Sequence, residues 1–117
     1  MEKSELLNYR ALVLEVRHLR GRVDELERSK SPAPEDACAE AVLALYRARV
    51  EEKTEALIAI ETAIETLDSP AARLLMRLRY IEGRSWVSVC GTLRPLKYSE
   101  RQVYRLHGTA LMKLKEL

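Results

Sequence analysis

Two apolar stripes, separated by Pro32-Ala33-Pro34, constrain this chain more than any other feature. Tyr9, Leu12, Val16, Leu19, Val23 and Leu26 recur at alternating intervals of three and four, which holds them on one narrow face of a helix. Two prolines one residue apart cannot continue helical hydrogen bonding, so the helix breaks over residues 29–34. Glu35 and Asp36 then place negative charge where the dipole of a new helix favours it. The second stripe comprises Ala39, Leu43, Tyr46, Val50, Lys53, Leu57, Ile60, Ile64 and Leu67, again at intervals of four and three. Its one polar member, Lys53, is of the kind that fixes register or oligomeric state.

Stripes joined by a short loop predict an antiparallel helical hairpin, coiled-coil-like in character. Its seam is expected at Leu12, Val16, Leu19, Val23, Leu26, Leu43, Tyr46, Val50, Leu57, Ile60 and Ile64. Alone, two helices bury too little surface to be stable. Ala41, Ala44, Ala48, Ala56, Ala59 and Ala63 widen the apolar face, so a second copy is expected to pack there and form a homodimer. The alternative is that the hairpin folds onto the remainder of its own chain. Residues 1–67 are therefore read as an oligomerisation arm and residues 68–117 as a second domain. Four Gly and four Pro in 117 residues argue against a turn-rich β fold, and the expected class is all-α.

The second domain carries sharper punctuation. Ser69 followed by Pro70 predicts a helix start, with a capping hydroxyl and proline at the first position. Leu74, Leu75, Leu78 and Ile81 supply its apolar face, and Gly83 sits where a left-handed C-terminal residue belongs. Ser85 opens a short helix over Trp86, Val87, Ser88, Val89 and Cys90 that stops near Gly91 or shortly after; Pro95 blocks its continuation. Ser99, with Gln102 three residues on, forms an S-x-x-Q capping box. From there Val103, Leu106, Ala110, Leu114 and Leu117 make the last helix amphipathic.

Charge is divided unevenly between the two parts. Residues 1–68 carry 10 Lys+Arg against 15 Asp+Glu, a net of −5, while residues 69–117 carry 10 against 3, a net of +7. A basic domain on an acidic arm points the domain at a polyanion. The polar face of the last helix offers Ser99, Glu100, Arg101, Gln102, Tyr104, Arg105 and Thr109 as base readers. Arg donates twice to guanine, Gln pairs both edges of adenine, and Thr touches the thymine methyl. Arg84, Ser85 and Lys97 are the phosphate candidates, and the helix start aims free backbone N–H groups at phosphate.

The resemblance sharpens this reading. The stretch from Ser69 through Arg79-Tyr80-Ile81-Glu82-Gly83 resembles the opening of region 4 of bacterial sigma-70 factors. The stretch Tyr98-Ser99-Glu100-Arg101-Gln102-Val103-Tyr104-Arg105-Leu106-His107, followed by Ala110-Leu111, is similar to the recognition helix of that region. The whole plan resembles small phage and prophage late-transcription regulators of the RinA/ArpU type and their relatives. The resemblance implies a three-helix helix-turn-helix domain, double-stranded DNA as partner and RNA polymerase as a further candidate partner. Twelve residues separate Trp86 from Ser99, more than the family's usual turn, and Arg94-Pro95-Leu96 accounts for the excess. Nothing here resembles the sigma region that melts promoters, which argues against a complete sigma factor.

The leading expectation is a sequence-specific DNA-binding transcriptional regulator in the cytoplasm of a bacterial host, associated with the nucleoid. The runners-up are a phage small-terminase-like packaging component and a sigma-like adaptor that docks RNA polymerase without touching DNA. An enzyme is not expected. Glu82, Glu100 and Glu116 are too dispersed for a paired-carboxylate site, and no nucleophilic grouping stands out. There is no GxGxxG or P-loop pattern. No metal, cofactor or small-molecule substrate is expected. Cys38 and Cys90 show no CxxC spacing and suit a reduced compartment. No apolar run approaches the roughly 18 residues that span a bilayer, and residues 1–10 lack the apolar stretch of a secretory signal.

Single residues carry expectations too. Trp86 is expected as a core anchor, Tyr80 as buried with its hydroxyl at the rim, and Cys90 as a small buried apolar residue. His107 is a candidate phosphate contact but no metal or catalytic candidate, and Gly108 allows close approach either to the preceding helix or to DNA. Of Arg73, Arg77 and Arg79, at most two can share a DNA-facing side.

Overall fold

Every element of the computed structural model, which describes residues 1–29 and 36–117, is helical, and no strand occurs among the described residues. Helices α1 (Lys3–Leu7), α2 (Tyr9–Arg28) and α3 (Asp36–Glu65) precede α4 (Pro70–Met76), which continues as a π-helical turn, Arg77–Ile81. Then come α5 (Trp86–Leu93), a 3-10 turn (Arg94–Leu96) and α6 (Glu100–Lys115). The expected break at Pro32 and Pro34, with Glu35 beyond it, lies outside the described residues. Among the described residues no helix is long and apolar enough to cross a membrane.

Packing divides the chain into two compact units. One is Ala11–Leu57. Within it Val16, Leu19 and Leu43 are buried, and Lys53 Nζ lies 3.2 Å from Glu15 Oε1. Glu27 pairs with Arg47. Stepping from position 15 to 27 on α2 takes the partner back from 53 to 47 on α3, so these two stretches run in opposite directions. Lys53 is half-buried, its ammonium held by Glu15. Leu12, Val23, Leu26, Tyr46, Val50 and Leu57 are only half-buried, because two helices cover each other along a seam and leave its flanks open. Arg22 and Arg49 lie against the ring of Tyr46, each 5.8 Å from its centre.

The other unit is Met1–Arg10 with Ile58–Leu117. This cuts the chain differently from the boundary expected between residues 67 and 68. Ile60 and Ile64, which spacing alone places in the arm's seam, are buried here, and so are Leu6 and Tyr9 from the opposite end of the sequence. The physical reason is size: three short helices cannot cover one another's apolar faces. Leu6, Ile64, Leu75, Met76, Val89, Leu93, Val103 and Leu114 are its most completely enclosed side chains.

Two apolar faces in this unit are rotated from expectation. On the first, Leu75, Met76, Leu78 and Tyr80 are buried, while Leu74 and Ile81 are only half-covered. The π turn, in which the Glu82 N–H donates to Arg77 O at 2.9 Å, widens the repeat, so Tyr80 rather than Ile81 follows Leu75 inward. On α6 the buried stripe is Val103, His107, Ala110 and Leu114. Leu106 is half-covered and Leu117 is 65% exposed. Intervals of four, three and four centre the stripe on His107, and burying a histidine requires a partner, which Tyr80 supplies.

Candidate nucleic-acid interface

The polar face expected to be functional lies on α6, whose start is fixed by local chemistry. A 3-10 turn ends at Lys97, whose φ of 65° is left-handed; a non-glycine residue there costs about 1–2 kcal/mol. Ser99 Oγ accepts from the Gln102 N–H at 3.2 Å, and the Ser99 N–H donates to Gln102 Oε1 at 2.8 Å. The capping box expected from sequence is formed. It also occupies the carbonyl oxygen that Gln102 would present to adenine, leaving only its amide donors.

Helix α5 is fixed by similar means. Ser85 Oγ accepts from the Ser88 N–H at 3.2 Å, and Val89 and Leu93 are fully buried. Trp86, the first residue of α5, is half-exposed rather than a core anchor. Its ring meets Tyr104 at 5.0 Å and stands edge-on to His107 at 4.7 Å. These contacts lock the start of α5 to the middle of α6. On its outer side Trp86 carries the guanidinium of Arg79, 4.7 Å from the ring centre.

His107 lies inside, 9% exposed, with Nε2 sharing a 2.7 Å hydrogen bond with the Tyr80 hydroxyl. It therefore does not reach phosphate, and the Tyr80 hydroxyl is inside rather than at the rim. Burial, with Lys3 and Arg79 adding to it, pushes the His107 imidazole down to about 4. Burial pushes the Tyr80 phenol up, against the pull of Arg79. Gly108 is exposed with open space at its Cβ position, so the preceding helix does not approach it closely. Cys90 is half-buried.

The arginines of this unit sort into two groups. Arg73 donates to Leu67 O at 2.6 Å and to Asp68 O at 3.2 Å. Arg77 pairs with Glu65, Arg79 donates to Arg84 O at 2.9 Å, and Arg84 pairs with Glu82 at 2.9 Å. These four fasten loops, and Arg84 must exchange Glu82 before it can hold a phosphate. Arg101 and Arg105, by contrast, are exposed and make no ion pair among the described residues. Glu100, Gln102, Tyr104 and Thr109 are exposed beside them. The Thr109 hydroxyl donates back to Arg105 O at 3.1 Å. Tyr98, Gln102, Arg105, Leu106 and Thr109 line an open groove of about 280 Å³ along this face.

Exposed Ser85 and Lys97 flank the start of α5 and of α6 respectively. Arg94, also exposed, adds a cation to the intervening turn that the sequence reading treats only as extra length. Arg10 is the other addition: its Nη1 donates to Ile81 O at 3.2 Å across 71 positions of sequence, a relation no local spacing signals. Among the described residues there is no group of three or more His, Cys, Asp or Glu side chains placed to hold a metal ion. No protein-family model, curated protein or solved structure matches the chain.

Proposed function

We propose that this chain is a sequence-specific duplex-DNA-binding transcriptional regulator of phage or prophage type. In this reading it works at the nucleoid of a bacterial host, has no enzymatic activity and needs no cofactor. The α5–turn–α6 segment acts as the helix-turn-helix, and α6 enters the major groove from Ser99 onward. The observation that carries this is the contrast among the arginines. Those of α4, its π turn and Arg84 are engaged with carbonyls or acids, whereas Arg101 and Arg105 stand exposed on the face opposite Val103, His107, Ala110 and Leu114. Unengaged guanidinium forks on a rigid helix suit bidentate reading of guanine.

Lys97 supports the same reading. A glycine would hold its left-handed backbone at lower cost, yet the position carries a cation between the two helices. In this reading Lys97 and Ser85 hold backbone phosphates, Arg101 and Arg105 read bases, and Tyr104 and Thr109 add contacts at the flanks. Gln102 contributes through its amide donors alone.

The antiparallel stretches of α2 and α3 serve as the arm on which two copies meet. Ala41, Val42, Ala44, Leu45 and Ala48 lie exposed on α3, away from the stripe that faces α2, and a second copy covers them. Sedimentation at micromolar concentration reads the dimer directly, and a clean monomer removes it.

Selection of duplexes from a random pool by the purified full chain tests the main reading. It is expected to enrich a defined motif whose binding weakens steeply with salt. Failure to enrich any motif, together with capture of RNA polymerase, would move the function to that of a polymerase adaptor.

A further inference from the structure

Beside the turn that precedes α5, the first residues of the chain close a small hollow. It is about 160 Å³ and is lined by Leu6, Leu7, Arg10, Arg79, Tyr80 and Gly83. Two of the six are arginines and none is an acid. Two acids adjoin the lining in sequence: Glu82 is taken by Arg84 at 2.9 Å, and Glu5 accepts from the Glu2 N–H at 3.1 Å. We infer that this hollow is a seat for a phosphoryl oxyanion, held between the guanidinium groups of Arg10 and Arg79.

The geometry pre-organises both groups. Arg10 Nη1 donates to Ile81 O at 3.2 Å and Arg79 Nη1 donates to Arg84 O at 2.9 Å. Each guanidinium carries five donors in a rigid fork, so one bond fixes its plane and leaves the others for an anion. Gly83 is what lets Arg10 lie there. Its φ is +69°, and a Cβ built on it would stand 2.6 Å from Arg10 Cδ and Nε. Any side chain at position 83 would therefore displace the arginine. The apolar walls from Leu6 and Tyr80 exclude water from one side, which strengthens charge-assisted hydrogen bonds. Arg79 also lies against Trp86 at the start of α5, so the seat adjoins the helix that the DNA-binding reading sets on the backbone.

The chemistry fits two sources, a phosphate of the DNA backbone or a free phosphoryl compound. The inference does not depend on the DNA-binding reading, because inorganic phosphate alone probes the seat.

The experiment titrates the full chain with inorganic phosphate at constant ionic strength and follows the Gly83 amide and the Arg10 and Arg79 Nε–H signals by NMR. Saturable shifts confined to these groups are expected. Arg10→Gln and Arg79→Gln should each weaken binding about tenfold or more, while Arg28→Gln leaves it unchanged. Arg10→Lys keeps the charge without the fork; it is the second variant should Arg10→Gln fail to fold, and it is expected to bind more weakly than the parent chain. A parallel salt titration with duplex DNA separates the sources. If Arg10→Gln lowers the slope of log affinity against log salt by about one, the occupant is a DNA phosphate. An unchanged slope, or no DNA binding at all, with phosphate still saturating, assigns a free phosphoryl ligand. Shifts that are absent, or that Arg10→Gln and Arg79→Gln leave intact, overturn the seat.

Discussion

The Tyr80 hydroxyl and His107 Nε2 share a 2.7 Å hydrogen bond, and both side chains are buried between the π turn and α6. The imidazole also faces the edge of Trp86, with Lys3 and Arg79 close enough to disfavour a further positive charge. A neutral histidine thus joins two elements that are 27 positions apart.

This gives the fold a pH dependence of definite sign. The folded value is about 4, below the ordinary 6.5, so the unfolded chain binds the proton more readily. The stabilisation from neutral His107 is complete above pH 6.5 and falls as pH drops from 6.5 to 4. At pH 5 the loss is up to about 2 kcal/mol. Urea unfolding at pH 7.5 and pH 5 measures it, and His107→Gln should flatten the difference by the same amount.

A second prediction concerns Gly83. Alanine there must adopt φ near +69° and must push Arg10 aside. Gly83→Ala is expected to destabilise by about 1–3 kcal/mol. Truncating Arg10 first should recover part of that cost, and a double-mutant cycle in urea measures the coupling.

Thr54 offers a change of opposite sign. Its Oγ1 is buried and has no hydrogen-bond partner among the described residues. Thr54→Val replaces an unpaired hydroxyl by a methyl of the same shape, and the chain should gain about 1 kcal/mol, seen as a higher melting temperature.

How much of this was legible in the sequence depends on the range over which the information acts. Caps are local, and Ser69, Ser85 and Ser99 each accept a backbone N–H three residues on, as their residue types and neighbours imply. Gly83 and the two apolar stripes are legible for the same reason. The π turn is not, because Leu74, Leu75, Leu78 and Ile81 fit an ordinary helix equally well and only packing selects the wider repeat. His107 is hidden by its polarity: spacing puts Leu106 in the stripe, and nothing local announces a tyrosine partner 27 positions away. The contribution of Leu6, Tyr9 and Arg10 to the basic unit is likewise a tertiary fact without a sequence period. The face proposed to read bases is legible as a pattern, but only the folded structure separates Arg101 and Arg105, without an ion pair among the described residues, from Arg73, Arg77, Arg79 and Arg84, which are occupied.

Lys97 separates stability from binding. Lys97→Gly relieves a left-handed lysine and should stabilise the fold by about 1 kcal/mol, while loss of the proposed phosphate contact should lower affinity for every DNA sequence alike. Thermal melting and anisotropy on the same preparation read the two effects, which should have opposite signs.

The central claim is that the exposed forks of Arg101 and Arg105 read bases. It is tested most directly by measuring the affinity of Arg101→Ala and Arg105→Ala for a selected duplex and for a scrambled one, over about 50–200 mM salt. Each variant should lose about 1–3 kcal/mol on the selected duplex, and preference between the two duplexes should relax. Undiminished discrimination in both variants, with the fold intact, would contradict the account.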